Sequence, residues 1–288
     1  MSESQTLVIE PEVVRKELDL TDPGALTAEA ADPELVAQAD ELVERLVSID
    51  PGDATAANAG KAAVENMGLR LQEEASHRSA MLKEPLNGMS NRAEDGGEVA
   101  SALIELKMKV EELDPGNVDL EPGWFTRLVG RIPGIGTPIK RYFTRFESSQ
   151  TVIDAIMRSL EDGKAQLQHD NVTLQQDQAH MRETTRKLEK AIKLAQVIDQ
   201  KLTYKAEREL AGEPAKAKFV QEELLFPLRQ RIMDLQQQLA VNQQGVVTLE
   251  VVMRNNKELI RGVNRANHVT VNALQVAVTL AVALANQR

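Results

Sequence analysis

The last sixty or so residues of the chain, 228–288, contain no proline and repeat apolar side chains with the spacing of a long amphipathic helix. Starting at Leu228, alternate steps of four and three residues reach eighteen positions, of which thirteen are apolar. This heptad pattern is typical of helices that pack along a seam. At about 1.5 Å per residue such a helix is about 90 Å long, more than a compact domain needs. Polar residues interrupt the seam at four positions: Asn242, Asn256, Asn267 and Thr270.

A second helix of similar length is predicted from Phe146 to Lys205, where twelve of eighteen heptad positions are apolar. The connector between the two helices, 206–227, contains Pro214 and is long enough to reverse the chain. The pattern therefore predicts an elongated all-α bundle built on a long antiparallel, coiled-coil-like hairpin. In the simplest register of this hairpin, Lys205 lies opposite Leu228.

The sequence before the hairpin predicts shorter helices. Asp32 followed by Pro33 is a typical helix start, and a second helix is predicted from near Asp53 to about 86, ending before Asn87 and Gly88. A third helix is predicted over 98–113. The predicted regions are a disordered acidic N-terminus at 1–31, short helices packing on the bundle at 32–113, a basic and aromatic hinge at 114–145 and the long hairpin at 146–288.

The C-terminal helix is too apolar for a two-helix hairpin. Beside its seam runs a second, mostly apolar row that needs another partner helix, and the N-terminal helices can supply it. From 273 to 285 the helix is apolar nearly all round, yet thirteen residues are fewer than the roughly 20 that span a bilayer. This end is expected either to be buried in the bundle or to meet a missing segment or a second subunit. The second row consists of Gly245, Val252, Leu259, Ala266, Ala273 and Leu280.

Composition excludes several functional classes. The chain has no cysteine, which removes thiol chemistry and suits a reducing compartment. Its net charge of −10 disfavours general nucleic-acid binding, and its acidic, mixed start lacks the pattern of a signal peptide. We expect a cytoplasmic protein, with peripheral docking on the inner membrane as an open alternative. A second copy of the chain is a further expected partner.

No motif of an enzyme or of a cofactor site is complete. Gly60-Lys61 and Gly163-Lys164 lack the remainder of a phosphate-binding loop. His169 and His180 are about 16 Å apart along one helix, so they cannot share a metal. The sequence thus predicts no catalytic residue, no metal and no cofactor, and hence a protein that is not an enzyme.

The strongest polar constellation lies in the predicted hairpin seam. Asp170 and Asp177 occupy seam positions, where an unpaired charge is costly. In the register above, Asp177 faces Asn256 and Asp170 faces Val263. A buried polar layer is therefore predicted, which either only fixes the helix register or binds an oxyanion or metal ion. Its predicted members are Asp170, Asp177, Arg254, Asn255, Asn256, Arg261, Asn264 and Arg265.

A second constellation is the segment 124–146, which holds five of the eight aromatic residues of the chain and five basic residues without an acid. An element that lies on an anionic membrane surface needs basic side chains that bind the lipid phosphates and apolar side chains that reach the acyl boundary. The alternative is that the aromatic side chains close the bundle end while the arginines pair with acidic helices. The residues predicted to contact a membrane or an anion are Trp124, Phe125, Arg127, Arg131, Lys140, Arg141 and Arg145.

Several separate segments of the C-terminal half form a characteristic series. They are 140–143 (KRYF), 160–164 (LEDGK), 225–231 (LFPLRQR), 234–235 (DL), 238–245 (QLAVNQQG), 255–266 (NNKELIRGVNRA) and 284–287 (LANQ). In this order they resemble the TelA toxic anion resistance family, which is linked with tellurite resistance in bacteria. The resemblance covers roughly 115–288, and family members usually continue beyond that point, so a truncated C-terminus is expected.

The resemblance implies a cytoplasmic, helical, non-enzymatic protein, often considered membrane-associated, that acts in envelope or toxic-anion stress. The family has no agreed catalytic residues to carry over. Together these features predict a scaffold or adaptor in a stress response, with other stress-resistance proteins as partners. Direct sequestration of an oxyanion or metal ion by the polar layer is the alternative.

Overall fold

The computed structural model describes residues 10–28, 32–94, 97–114 and 138–286. Within these ranges the regular structure is helical and no residue lies in a strand, which confirms the predicted all-α fold class. The helices are α1 (Pro11–Glu17), α2 (Pro33–Val47), α3 (Ala54–Glu65), α4 (Leu69–Glu94), α5 (Gly97–Leu113), α6 (Pro138–Tyr204), α7 (Pro214–Phe219), α8 (Phe226–Arg265) and α9 (Val271–Asn286).

Two of the helix starts follow directly from local sequence. The Asp32 side chain accepts a hydrogen bond from the backbone N–H of Leu35 at 2.9 Å, and Pro33 occupies the first turn of α2. Asp53 caps α3 in the same way by accepting from the backbone N–H groups of two residues, Thr55 and Ala56. Both starts are confirmed because a carboxylate at the cap satisfies amides that have no partner within the helix.

The predicted second helix is divided by Gly68. This residue lies between α3 and α4 with φ of 67°, a left-handed conformation that glycine adopts without strain. A Cβ atom at this position would also come within 3.2 Å of the Leu235 side chain. The predicted break at Asn87 and Gly88 is wrong, because α4 continues to Glu94.

Residues 10–28 lie in the region predicted to be disordered, and they include helix α1. Helix α1 ends in a Schellman motif, in which the N–H of Leu20 donates to Arg15 O and that of Asp19 to Lys16 O. Asp19 has φ of 52° there. Val14 is fully buried. Heptad analysis could not detect this segment, because its order depends on contacts with distant residues.

The turn between the long helices is much shorter than predicted. A π-helical segment, Lys205–Glu209, continues α6, and a second one, Val220–Leu225, joins α7 to α8. Only residues 210–213 are non-helical. The predicted connector, 206–227, is therefore mostly helix. A third π-helical segment, Ala266–Thr270, joins α8 to α9.

The chain divides into two compact units, and the first comprises Met1–Pro85 and Leu174–Val252. Its main core brings α2 and α3 against the end of α6, the turn region and the start of α8. Leu46, Leu202 and Leu228 are at most 2% exposed in this core. A smaller cluster joins α4 to the same two long helices through Ala75, Leu188, Ile192, Leu235 and Leu239.

The second unit comprises Leu86–Thr173 and Met253–Arg288. Helix α5 packs here against parts of α6, α8 and α9, and Leu106, Leu160 and Val263 are at most 1% exposed. Helix α5 thus supplies the third helix that the wide apolar stripe predicts. Among the described side chains of α9, Leu274 and Val278 are 5% exposed whereas Val276 is 68% exposed.

Candidate functional site

The polar layer of the second unit is centred on a pair of amides. Asn256 is 8% exposed, and its Nδ2 donates to Asn171 Oδ1 at 2.9 Å. Asn171 lies on α6 and Asn256 on α8, so the bond links the two long helices across their interface. The heptad pattern predicts the position of Asn256 in this layer but not its partner.

Asn171 replaces Asp177 as that partner because the turn lies earlier in the chain than assumed. Helical structure continues beyond Lys205 and resumes at Pro214, which shifts the register between α6 and α8 by about a turn and a half. In the first unit the same shift pairs Asp199 with Arg229 at 2.6 Å. The predicted contact between Asp177 and Asn256 is therefore wrong.

Beyond Asn171 and Asn256, the second unit has a more exposed polar cluster. Lys164 Nζ forms an ion pair with Glu161 at 2.5 Å and donates to Asn264 Oδ1 at 3.3 Å. Asn267 Nδ2 donates to Glu161 as well. The side chain of Lys164 keeps 20% of its surface exposed, so this cluster lies at the edge of the helix interface. Of these four residues, sequence analysis named only Asn264 as a member of the layer.

The other predicted members of the layer are dispersed. Asp170 is half-buried and accepts a hydrogen bond from Gln166 on its own helix at 2.7 Å. Arg261 is exposed and pairs with Glu258 one turn away. Asn255 and Arg265 are exposed and Arg254 is half-buried, all in the second unit, whereas the half-buried Asp177 belongs to the first.

The most deeply buried polar group between the long helices is Asn242 in the first unit, which is 0% exposed. Its Nδ2 donates to Met181 O at 2.9 Å and to Thr185 Oγ1 at 2.8 Å. Its Oδ1 has no partner among the described residues. The helices approach closely here, since a Cβ atom on Gly245 would come within 2.5 Å of Met181 Cε. The heptad pattern located Asn242 but could not identify its partners.

Gln178 extends this polar core along α6. It is 8% exposed, and its Nε2 donates to Val246 O at 3.2 Å and to Glu250 Oε2 at 3.0 Å. Sequence analysis missed Gln178 because it follows the seam position of Asp177. In both units, buried amides of one long helix bond to the other long helix. A shift of one residue between the helices would leave these groups unpaired.

The described residues include no group of three His, Asp or Glu side chains placed to hold a metal ion. No helix among them has the length and apolar character needed to cross a bilayer. For the predicted membrane contacts, Trp124, Phe125, Arg127 and Arg131 lie outside the described residues, as do the side chains of Lys140 and Arg141. Arg145 is exposed on α6.

The fold and its polar contacts define an all-α protein with two helical units, each of which has buried amides linking antiparallel helices. The chain belongs to the toxic anion resistance protein (TelA) family, whose model matches residues 54–288. The resemblance inferred from the separate sequence segments is thereby confirmed. No curated protein and no solved structure matches the chain.

Proposed function

We propose that this protein is a non-enzymatic helical scaffold or adaptor in a toxic-anion resistance system. The observation that carries the proposal is the hydrogen bond between Asn256 and Asn171, with its counterpart at Asn242. In these layers the buried amide groups bond to the partner helix. Donors that already hold two helices in register are poorly placed to surround a ligand. Membership of the TelA family supports the resistance role in general.

A double variant separates a scaffold from direct sequestration. Asn171→Leu with Asn256→Leu replaces the half-buried amide of Asn171 and the buried amide of Asn256 with apolar side chains of similar volume, which is often nearly neutral for stability. If the layer only fixes register, a deletion strain carrying the double variant should keep its tellurite resistance within about twofold of wild type. Calorimetric titration of the wild-type protein with tellurite, phosphate and Zn²⁺ should show no binding.

Loss of resistance in the double variant, at normal expression and helix content, would favour the sequestration alternative. So would tellurite binding that the double variant abolishes. A matched control is Asn255→Leu with Asn272→Leu, since both asparagines are exposed on the C-terminal helices. The control should behave as wild type under either hypothesis.

We also propose that the segment 124–146 docks on an anionic membrane surface. Its charge of +5 in a chain of −10 supports this role, because each basic residue near such a surface contributes about 1 kcal/mol. Trp124→Ala with Arg127→Ala should therefore weaken sedimentation with phosphatidylglycerol vesicles by about tenfold. Arg158→Ala, an exposed arginine elsewhere on α6, is the control. Equal binding to neutral vesicles, or an unchanged double variant, would contradict the proposal.

A further inference from the structure

Side chains of both long helices hold the backbone of the N-terminal segment in the first unit. Four side chains of these helices each donate a hydrogen bond to a main-chain carbonyl group of the segment. These four bonds therefore do not depend on which side chains the segment carries. The bonds are Arg182 to Leu18 O at 3.4 Å, Gln243 to Thr21 O at 2.7 Å, Gln236 to Pro23 O at 3.1 Å and Gln196 to Leu26 O at 2.8 Å.

After α1 the held segment advances along the groove and includes a 3₁₀ turn at Pro23–Ala25. From Leu18 to Leu26 its partners on α6 advance from Arg182 to Gln196, which is about 21 Å along a helix. Eight residues therefore advance by about 2.6 Å each, nearer the 3.3–3.6 Å of an extended chain than the 1.5 Å of a helix. On α8 the partners run in the opposite direction, from Gln243 back to Gln236. Residues 10–28 thus lie along a groove between antiparallel helices.

Few apolar side chains anchor the segment. Val14, Leu26 and Ala28 are the buried residues of its described part, and Leu26 joins the cluster around Leu188 and Ile192. Gln243 is 0% exposed, and both polar atoms of its side-chain amide bond to the segment. Its Nε2 donates to Thr21 O, and its Oε1 accepts from Arg15 at 2.7 Å. A segment with so few buried contacts belongs to the part of a fold that opens most easily.

The segment leaves part of the groove unfilled and one polar atom of the groove without a hydrogen bond. An open pocket of about 360 Å³ adjoins Leu26 and Ala28 and is lined in part by Gln196 and Arg229. Gln196 Oε1 is buried and has no hydrogen-bond partner among the described residues. A peptide with a better-placed N–H donor would therefore gain a hydrogen bond that residues 10–28 do not make.

Charge also limits how tightly the segment is held. Burial raises the pKa of Glu189 on α6, and the Asp19 carboxylate of the segment raises this pKa further, while Lys193 and Arg186 lower it. One carboxylate of the segment thus lies near a partly desolvated carboxylate of the groove. The segment nevertheless has a net charge of −3 from five acids and two bases, and Arg182 contacts it directly.

We propose that the face of the first unit formed by Arg182, Gln196, Gln236 and Gln243 is a peptide-binding groove that residues 10–28 fill in cis and that an acidic peptide of a partner protein fills in their place. The four groove residues lie within the family-matched range of 54–288, whereas the segment precedes it. The inference rests on the proposed scaffold function, for which it supplies the docking surface. The partner peptide carries two apolar side chains twelve residues apart, as Val14 and Leu26 are in residues 10–28.

The test uses the full chain and a fluorescent synthetic peptide of residues 10–28. Val14→Asp places a charge in a fully buried anchor site and should release the cis segment while leaving the groove intact. Fluorescence anisotropy should then show the peptide binding to the Val14→Asp protein at least tenfold more tightly than to wild type. Adding Gln243→Leu to Val14→Asp should weaken that binding about tenfold, whereas adding Gln237→Leu, at an exposed position of α8, should not change it.

Hydrogen exchange on the wild-type protein provides a measurement that needs no variant. The amides of α1 and Leu20 should exchange at least a hundredfold faster than the amides of α6 around Ile192. Equal protection of the two groups would overturn the proposal, as would absence of peptide binding to Val14→Asp or binding insensitive to Gln243→Leu. Peptide binding is measured on purified protein, so its failure is distinguishable from a failure of the scaffold function, which is read from resistance in cells.

Discussion

Asn242→Asp is expected to lower the free energy of unfolding by about 3–5 kcal/mol at neutral pH, because it places a charge in a fully buried site. Asn242 is 0% exposed, and its Nδ2 donates to Met181 O and Thr185 Oγ1. Ionised aspartate has no donor for either acceptor and would set a carboxylate against the Met181 carbonyl. Urea denaturation followed by circular dichroism measures the loss.

The effect of Asn242→Asp should depend on pH. A carboxyl group in this apolar interface has its pKa raised on folding, so its penalty is absent below about pH 4, the unfolded pKa of aspartate. The penalty grows as the pH rises from there to the raised pKa of the folded state, and above that pKa it stays constant. The variant should therefore approach wild-type stability in acid and lose it towards neutral pH. A loss that is the same at both ends of this range would contradict the burial argument.

Asn242→Leu is the matched control. It removes the Oδ1 atom, which is buried without a partner, and fills the same space with apolar atoms. It also removes the Nδ2 donor to Met181 O and Thr185 Oγ1, so a loss of about 1–3 kcal/mol is expected that, unlike the loss in Asn242→Asp, does not depend on pH. A strongly destabilised Asn242→Leu protein would show that the packing around Gly245, and not the charge, determines the response.

Arg231→Met is expected to lower the free energy of unfolding by about 1.5–3 kcal/mol, because it leaves the half-buried acceptors Met67 O and Gln72 Oε1 without this charged donor. The side chain of Arg231 is 7% exposed. Its Nε donates to Met67 O at 2.7 Å, and its Nη1 donates to Gln72. These acceptors flank Gly68, where the chain passes from α3 to α4. Loss of the guanidinium should therefore loosen the attachment of both helices to α8.

Arg229→Met is the control for Arg231→Met. Its side chain is 57% exposed, and its ion pair with Asp199 spans 2.6 Å at the surface. Exposed pairs contribute about 0–1 kcal/mol, so the two variants should differ by at least about 1 kcal/mol in thermal or urea denaturation. Equal losses would show that the buried contacts of Arg231 add little beyond a surface ion pair.

Sequence reasoning could identify those residues whose role depends on their spacing from other residues in the same segment of the chain. The helix starts after Asp32 and Asp53 were predictable because a cap bonds to amides two or three residues away. The heptad spacing located the long helices, and it placed Asn242 and Asn256 in their interface. It also indicated a third helix, which α5 provides in the second unit.

The partners of those residues were not predictable in the same way. A heptad pattern repeats every seven residues, so it is almost equally consistent with several registers between two helices. The register depends on where the turn lies in the chain. Helical structure through Lys205–Glu209 and from Pro214 onward places the turn at 210–213, before the middle of the predicted connector. Asn171 thus replaces Asp177 beside Asn256, and most of the predicted charged layer is dispersed.

The sequence by itself determined that this chain is helical, where its long helices lie and which polar positions interrupt their seams, because these features depend on spacing within one segment. Only the tertiary structure decided the register of α6 against α8, the amide partners of Asn256 and Asn242, and the course of residues 10–28. These depend on contacts between residues far apart in the chain, such as the bond from Gln243 to Thr21 O. A main-chain carbonyl is present in every residue, so no side-chain pattern marks the segment that such a groove holds.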